Sequence, residues 1–276
     1  MPPVRLFSLC RCPSCGFSFV PDYRTDYDVV YSEAYYRGQG SDPLANYLFD
    51  HQEPAATLRR YEWSGLLEVF RTLSPAPPDK AKWLDYGCGL GSLVRYGRER
   101  GVNIFGCDPY GAAAGKGKLP EDGRYLDPYI LAREDLQREG FDYVTAVEVI
   151  EHTADPVAFL GEIRPLLKPG GVLFLTTGNA KPFRNKFTRW SYAVCPDIHV
   201  SFFEPETLAL ALEKAGFRPE FRGYVKGFTE IIKYKILKNL KFTRRSRLFD
   251  LLPWPVLSRL ADAKYRVTAH PVGVAA

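Results

Sequence analysis

A glycine-rich loop between two predicted elements constrains this chain more than any other feature. Residues 84–92 read Leu-Asp-Tyr-Gly-Cys-Gly-Leu-Gly-Ser. Residues 82–86 predict a short buried strand, and residues 92–100 predict a helix ended by Gly101. Glycines permit a tight turn and the close approach of a ligand, while the first turn of a helix offers N–H groups to an anion. The sequence therefore predicts a strand, loop and helix that bind a small anionic group.

The order of the other predicted elements extends this unit into an α/β fold. Further strands are predicted at residues 103–107, 141–147, 172–177, 217–224 and 265–274, and further helices at 156–167 and 204–215. Residues 109–140 should contain one more helix and one more strand. Strands that alternate with helices are typical of a mostly parallel sheet covered by helices on both faces. Residues 231–263 then form a helical insertion or lid between the last two strands.

A proline-rich stretch divides the chain into two predicted parts. Residues 74–79 read Ser-Pro-Ala-Pro-Pro-Asp and follow an amphipathic helix predicted over residues 53–73. We expect residues 1–79 to be a small N-terminal extension that carries cysteines and this helix. Residues 80–276 should be the α/β domain.

Asp108 ends the second predicted strand, 17 residues after Gly91. An acid in this place can accept hydrogen bonds from both ribose hydroxyls of an adenosine, although a turn or cap residue is the alternative. Dinucleotide enzymes use Gly-x-Gly-x-x-Gly, whereas the third glycine here comes one position earlier. This spacing favours a cofactor with no second phosphate over a nicotinamide dinucleotide.

Two later segments carry a family resemblance. Residues 141–156 include Glu-Val-Ile-Glu-His, and residues 166–174 read Leu-Leu-Lys-Pro-Gly-Gly-Val-Leu-Phe. Together with the glycine loop and Asp108, they make the region from Trp83 to Phe217 resemble class I (Rossmann-like) methyltransferases that act on small molecules. The resemblance implies a seven-stranded sheet and S-adenosylmethionine bound across the carboxyl ends of its first strands.

The resemblance also implies the residues that bind this cofactor. Asp85 would hold the ammonium group, the loop the carboxylate, and Asp108 the ribose. The predicted set is Asp85, Tyr86, Gly87, Cys88, Gly89, Gly91, Asp108, Pro109, Glu148 and Val149. We therefore expect an enzyme that methylates a small-molecule acceptor, by preference a hydroxyl on a small molecule or on a glycosyl or lipid-linked intermediate.

Two histidines are the candidate catalytic residues. The resemblance implies that His199 faces the acceptor, where it could take a proton from a hydroxyl or, alternatively, fix the loop. His152 competes for the same role beside the cofactor. Glu148, Glu151 and His152 also resemble a pattern that quinone-precursor O-methyltransferases associate with a divalent cation, but we favour local pairing and packing for them.

Three N-terminal cysteines look like half of a zinc knuckle. Cys10, Cys12 and Cys15 precede Gly16, whereas structural zinc takes four ligands that usually come from two such pairs. His51 or Cys195 could complete a site. The alternatives are therefore a zinc site and a free-thiol remnant.

The net charge of +5 lies in the C-terminal fifth, where twelve Lys or Arg stand against three acids from residue 221 onward. This region could be a solvated lid or a basic amphipathic segment on an anionic membrane. A nucleic-acid methyltransferase is a further alternative, but no RNA-binding signature accompanies the charge. A cofactor-binding scaffold without turnover is another, although the intact loop motif speaks against it.

We find no apolar run of about 20 residues and no signal peptide, and we expect a cytoplasmic protein.

Overall fold

The computed structural model describes residues 7–40, 45–108, 128–190, 192–193, 195, 197–221, 227–262 and 270–274. The strands are Cys10–Arg11 (β1), Ser18–Phe19 (β2), Trp83–Tyr86 (β3), Ile104–Cys107 (β4), Phe141–Val147 (β5), Leu167–Thr176 (β6), Ser201–Phe202 (β7), Phe217–Pro219 (β8) and His270–Val274 (β9). The helices are Tyr27–Val30 (α1), Glu33–Tyr36 (α2), Tyr47–Gln52 (α3), Arg60–Leu73 (α4), Ser92–Arg98 (α5), Pro156–Ile163 (α6), Pro205–Lys214 (α7), Phe228–Asn239 (α8), Arg247–Asp250 (α9) and Trp254–Asp262 (α10).

The main sheet has the order β4-β3-β5-β6-β9-β8. Its first four strands are parallel, and β9 runs antiparallel between β6 and β8. The mostly parallel sheet predicted from the sequence is thus confirmed. The described residues contribute six strands to it, and Ile130 adds one parallel bridge to Gly106 on the outer edge of β4. Residues 109–127 lie outside the described residues, so the seventh strand stays a prediction.

Side chains alternate along the strands and build a core on each face of the sheet. Leu84, Val144 and Leu173 pack under α6 and α7 on one face. Trp83, Tyr143 and Phe174 pack under α4, α5 and α8 on the other. The helices predicted after β3, after β5 and before β8 all form. They help to cover both faces of the main sheet.

Helix α4 belongs to this core, although the sequence placed it before the proline-rich boundary. Phe70 of α4 stacks on Trp83 of β3 with ring centroids 4.7 Å apart. The backbone of α4 also approaches α8 closely, because a Cβ at Gly65 would lie 2.6 Å from the carbonyl oxygen of Gly227. Helices α8 to α10, which stand between β8 and β9 in the chain, are therefore joined to the N-terminal part through α4.

The N-terminal extension joins the main domain through a second, small sheet. Strands β1, β2 and β7 form it in that order, and Phe19 pairs with Ser201. This pairing holds the cysteine-bearing hairpin against the segment that carries His199. Among the described helices, none has the length and apolar content that crossing a bilayer requires.

Candidate active site

The glycine loop leaves β3 with all three glycines in the left-handed region. Their φ angles are 86° at Gly87, 57° at Gly89 and 75° at Gly91, a conformation that costs other residues about 1 kcal/mol or more. A Cβ at Gly87 would lie 2.5 Å from Val149, whereas one at Gly89 would meet no atom within 4 Å. Gly91 caps α5. The loop therefore leaves open space beside Gly89 and directs the first turn of α5 towards it.

Asp85 lies buried at the carboxyl end of β3. Its Oδ1 accepts a hydrogen bond from Thr145 Oγ1 at 2.8 Å, and Trp83 Nε1 donates to the same hydroxyl at 2.9 Å. Burial raises the pKa of Asp85 to about 7, although the bond from Thr145 acts in the opposite direction. Such a carboxylate gains most when a cation approaches it.

Asp108, the predicted ribose acid, ends β4 beside the loop. Its Oδ2 accepts a hydrogen bond from the Gly89 amide at 2.8 Å. The carboxylate therefore stands next to the open space at Gly89, as a ribose-binding acid would. Pro109, the next predicted cofactor residue, lies outside the described residues.

These residues open into one cavity of about 880 Å³. The predicted residues that line it are Asp85, Gly87, Cys88, Gly89, Asp108, Glu148, Val149, His152 and His199. In the described part of the chain, Tyr86 and Gly91 do not line it. Tyr86 instead points into the core, stacks edge-on against Phe159 and donates a hydrogen bond to Glu162 at 3.1 Å.

Glu148 follows β5 with φ 55°, which is rare for a residue with a side chain. Its Oε1 accepts hydrogen bonds from Thr176 Oγ1 at 3.0 Å and from Lys235 Nζ at 2.8 Å. Burial alone would raise the pKa of Glu148, but Lys235 and Thr176 outweigh it and hold that pKa below its ordinary value. Glu148 is thus an anion paired with α8.

Glu151, His152 and His199 gather on the other side of this segment. One ligand atom from each lies within 4.8 Å of the others, and they are the one set of three such groups in the described chain. Glu151 Oε2 accepts a bond from Thr177 at 2.8 Å, while its buried Oε1 has no hydrogen-bond partner. Burial and Glu148 raise the pKa of Glu151 well above its ordinary value. The set differs from the one considered from the sequence, because His199 takes the place of Glu148.

The two histidines differ in their hydrogen-bond partners. Burial and the neighbouring His199 lower the pKa of His152 to about 3, so this imidazole is neutral at neutral pH. Its Nδ1 lies 3.1 Å from the Tyr31 hydroxyl. His199 Nδ1 lies 2.9 Å from the Tyr192 carbonyl oxygen. Because a carbonyl only accepts, Nδ1 carries the proton, and the lone pair of neutral His199 is on Nε2.

A stack of four rings leads to His199 along the cavity wall. Phe183 stacks on Trp190 at 5.2 Å, Trp190 on Tyr192 at 5.0 Å, and Tyr192 on His199 at 4.4 Å, with interplanar angles of 6°, 9° and 13°. All four residues line the cavity. This wall suits a flat apolar group.

Arg59, at the start of α4, is a cavity-lining cation that was not predicted from the sequence. Arg59 donates to Asp50 at 2.9 Å and to Glu62 at 3.3 Å, and it lies over the rings of Tyr47 and Tyr234. In the sequence, Arg59 and Arg60 look like two charged residues on the exposed side of a helix. The apolar spacing of Leu58 and Tyr61 was the available signal that this face is buried.

The three cysteines lie in the hairpin of β1 and β2. The Gly16 amide donates to the Cys12 carbonyl at 2.9 Å, and Cys10 and Cys15 are exposed. Within the described residues, the three thiols do not form a set of ligands as close as the Glu151 set. The suggested fourth ligands lie elsewhere, since His51 approaches Ser92 of α5 and Cys195 lines the cavity. The zinc site stays a prediction.

Residues 55–220, more than half of the chain, match a family described as a methyltransferase domain. A ubiquinone biosynthesis O-methyltransferase of Cereibacter sphaeroides is 38% identical over 120 residues, which are 42% of this chain and 49% of that relative. The enzyme of the same name from Dinoroseobacter shibae is 32% identical over 163 residues, 53% of this chain and 63% of that relative. The matched region thus spans about half of the length of the first relative and less than two thirds of the length of the second.

The chain also resembles a solved structure of Haemonchus contortus, phosphoethanolamine N-methyltransferase 2 in complex with S-adenosyl-L-methionine. The TM-score is 0.52 at 17% identity, over 94% of this chain and 61% of that protein. At this identity the likeness concerns the fold.

Proposed function

Because this chain belongs to the methyltransferase domain family, we propose that it transfers a methyl group from S-adenosylmethionine to a hydroxyl of a small, flat acceptor. One observation carries the proposal: the open loop at Gly89 and His199 line the same cavity. A donor and an acceptor with a base can therefore meet in one place. The names of the O-methyltransferase relatives support oxygen as the methylated atom.

The residues of the loop fit this cofactor. The space beside Gly89 accepts a ligand without displacing protein atoms, and Asp108 stands at its edge. Asp85 would hold the ammonium group, and the first turn of α5 or Arg59 the carboxylate. When bound, S-adenosylmethionine supplies a methyl group activated by its sulfonium centre.

The residues around His199 fit the proton transfer that O-methylation requires. Methylation of a hydroxyl releases its proton, and His199 would take that proton at Nε2. The Tyr192 carbonyl keeps the ring in the tautomer that can do so. The neighbouring carboxyl of Glu151, with its unsatisfied oxygen, would stabilise the resulting imidazolium. His152, neutral and bonded towards Tyr31, would position this pair.

The acceptor side of the cavity combines flat rings with cations. The stack from Phe183 to His199 would hold an aromatic ring, and Lys235 and Arg189 also line the cavity. A phenolic hydroxyl, whose proton is removed more easily than that of an aliphatic alcohol, suits a histidine base.

The test uses S-adenosylmethionine with a tritiated methyl group and two probes, catechol and benzylamine. We expect label on catechol, and we expect His199→Ala to slow its transfer by about 10²–10⁴-fold while the affinity for S-adenosylhomocysteine changes by less than about threefold. His152→Ala is the matched control, expected to slow transfer less. Label on benzylamine but not on catechol, or loss of activity in His152→Ala with retention in His199→Ala, would contradict the proposal.

A further inference from the structure

The segment around α9 carries an exposed apolar surface. Six large apolar side chains between residues 240 and 256 are 45–80% exposed: Leu240, Phe242, Leu248, Leu251, Leu252 and Val256. We call these six residues the apolar patch. The other exposed large apolar residues of the described chain, such as Leu9, Val29 and Tyr129, are scattered. A concentration of this kind marks an interaction surface.

The patch is the outer face of an ordered unit. On the inner side Trp254 is buried in a cluster with Tyr61 and Tyr234, against which Phe249 packs. The backbone is also tied to the start of α4, because Arg245 N donates to the Ala56 carbonyl at 2.9 Å. The patch residues belong to none of the hydrophobic clusters in the described chain. The six exposed side chains therefore belong to a segment that is packed against the rest of the protein on its inner side.

Cations alternate with the patch residues along the chain. Lys241, Arg244, Arg245 and Arg247 are exposed within the same 17 residues. Asp250 is the one acid in that stretch of sequence. Its carboxylate is already engaged, because Tyr61 donates to it at 2.8 Å and Lys233 forms an ion pair with it. The surface that remains combines apolar side chains with an excess of positive charge.

The patch adjoins the cavity along the chain. Lys235, Lys238 and Asn239 at the end of α8 line the cavity, and Leu240 is the next residue. A surface that binds the patch would thus lie at the end of a cavity wall.

We propose that the apolar patch and its cations dock onto an anionic lipid bilayer. Leucine and phenylalanine side chains would enter the boundary between headgroups and acyl chains, while lysine and arginine contact the phosphates. Charge complementarity selects this occupant over a second copy of the chain, whose patch carries the same positive charge. A lipid-linked acceptor would then be presented beside the cavity, a consequence that rests on the proposed function.

The test is sedimentation of the full chain with two kinds of vesicle, pure phosphatidylcholine and phosphatidylcholine with about one third phosphatidylglycerol. We expect binding to the anionic vesicles, at least about tenfold weaker binding to the neutral ones, and release at about 0.5 M salt. The double variants Leu248→Asp/Leu251→Asp and Arg244→Glu/Arg247→Glu should each lower binding by about tenfold or more.

Matched controls stand elsewhere on the surface. Val29→Asp changes an exposed apolar residue, and Lys214→Glu/Arg218→Glu reverses two exposed cations; both should bind vesicles within about twofold of the wild type. Equal binding by the patch variants, or no binding by the wild type, would overturn the proposal. A wild-type dimer that Leu248→Asp/Leu251→Asp makes monomeric, without vesicle binding, would assign the surface to a second copy. Titration of every variant with S-adenosylhomocysteine separates failure of docking from failure of the proposed function.

Discussion

Lys235 of α8 donates a hydrogen bond to Glu148 at the end of β5, with Nζ and Oε1 2.8 Å apart. Glu148 begins the segment that carries Glu151 and His152, and its backbone is in the left-handed region. A residue from the helices between β8 and β9 therefore sets the charge at the end of a central strand. These helices form part of the site itself.

Lys235→Met should destabilise the protein by about 1–3 kcal/mol at pH 7–8, because it leaves the Glu148 carboxylate without its cation. The pKa of Glu148 is lowered in the folded state, so its contribution is present above the unfolded pKa and is lost as pH falls through the folded pKa. The difference between variant and wild type in urea unfolding should thus shrink as pH falls below about 4, the range of an ordinary glutamate, and vanish only below the lowered pKa of folded Glu148.

Lys181→Met is the control for this variant. Its ion pair with Glu206 is exposed on both sides, so the free energy of unfolding should change by less than about 0.5 kcal/mol. A loss in Lys235→Met that stays the same size as pH falls from 8 to about 3 would mean that the lysine stem matters and the charge does not.

Asp85→Asn should stabilise the protein without cofactor while it weakens cofactor binding. The pKa of Asp85 is raised to about 7 by burial, so the wild type loses stability as pH rises from about 4 to about 7. Asparagine can keep the bond from Thr145 without a buried charge. We expect a gain of roughly 2–4 kcal/mol at pH 8 and none near pH 4.

The same variant should bind S-adenosylhomocysteine more weakly, since the ammonium group loses its carboxylate. Unfolding in urea at both pH values, with a titration at pH 8, checks the two effects. Destabilisation at pH 8 would show that Asp85 supports the fold rather than the ligand.

Much of the fold followed from local pattern. The strand at 141–147 has the predicted bounds, and the helix predicted from residue 156 begins at Pro156 but ends at Ile163 and not at residue 167. A buried parallel strand and a capped helix start leave strong local signals. Helix α4 was predicted, but its place in the core was not. Its burial depends on contacts with β3 and α8, which are distant in sequence.

Gly87→Ala and Gly101→Ala form a matched pair for the loop. Both glycines have positive φ, but a Cβ at Gly87 would meet Val149 whereas one at Gly101 would meet no atom within 4 Å. Each substitution should cost about 1 kcal/mol of stability from backbone strain. Gly87→Ala should also weaken binding of S-adenosylhomocysteine by tenfold or more, on the order of 1.4 kcal/mol. Equal affinities in calorimetry would separate Gly87 from the cofactor site.

Cys12 should react with iodoacetamide about tenfold faster than Cys10 and Cys15 at pH 7. The hydrogen bond with the Ser14 side chain, with the backbone around it, lowers the pKa of Cys12 to about 6, so most of it is thiolate. Peptide mass spectrometry over time measures the three rates, and Cys12→Ser identifies the peak. Equal rates would contradict the prediction. Protection of all three thiols that a chelator removes would support the zinc site instead.

The site was less predictable than the fold. Asp85 and Gly89 were predicted because they lie in one short motif, and Asp108 because it follows the next strand at a suitable distance. His199 Nδ1 bonds to the Tyr192 carbonyl seven residues away and Arg59 bonds to Asp50 nine residues away, and both contacts depend on the path of an irregular loop. Residue type alone gives no signal for such contacts. Tyr86 was expected at the cofactor because it adjoins the loop, but strand alternation turns its side chain into the core.

Calorimetric titration of the full chain with S-adenosylhomocysteine and with NADH decides which cofactor the glycine loop binds. We expect micromolar binding of S-adenosylhomocysteine, no binding of NADH, and a loss of about 1–3 kcal/mol in Asp108→Ala, because the carboxylate that stands beside Gly89 would accept ribose hydrogen bonds. Binding of NADH without binding of S-adenosylhomocysteine would contradict it.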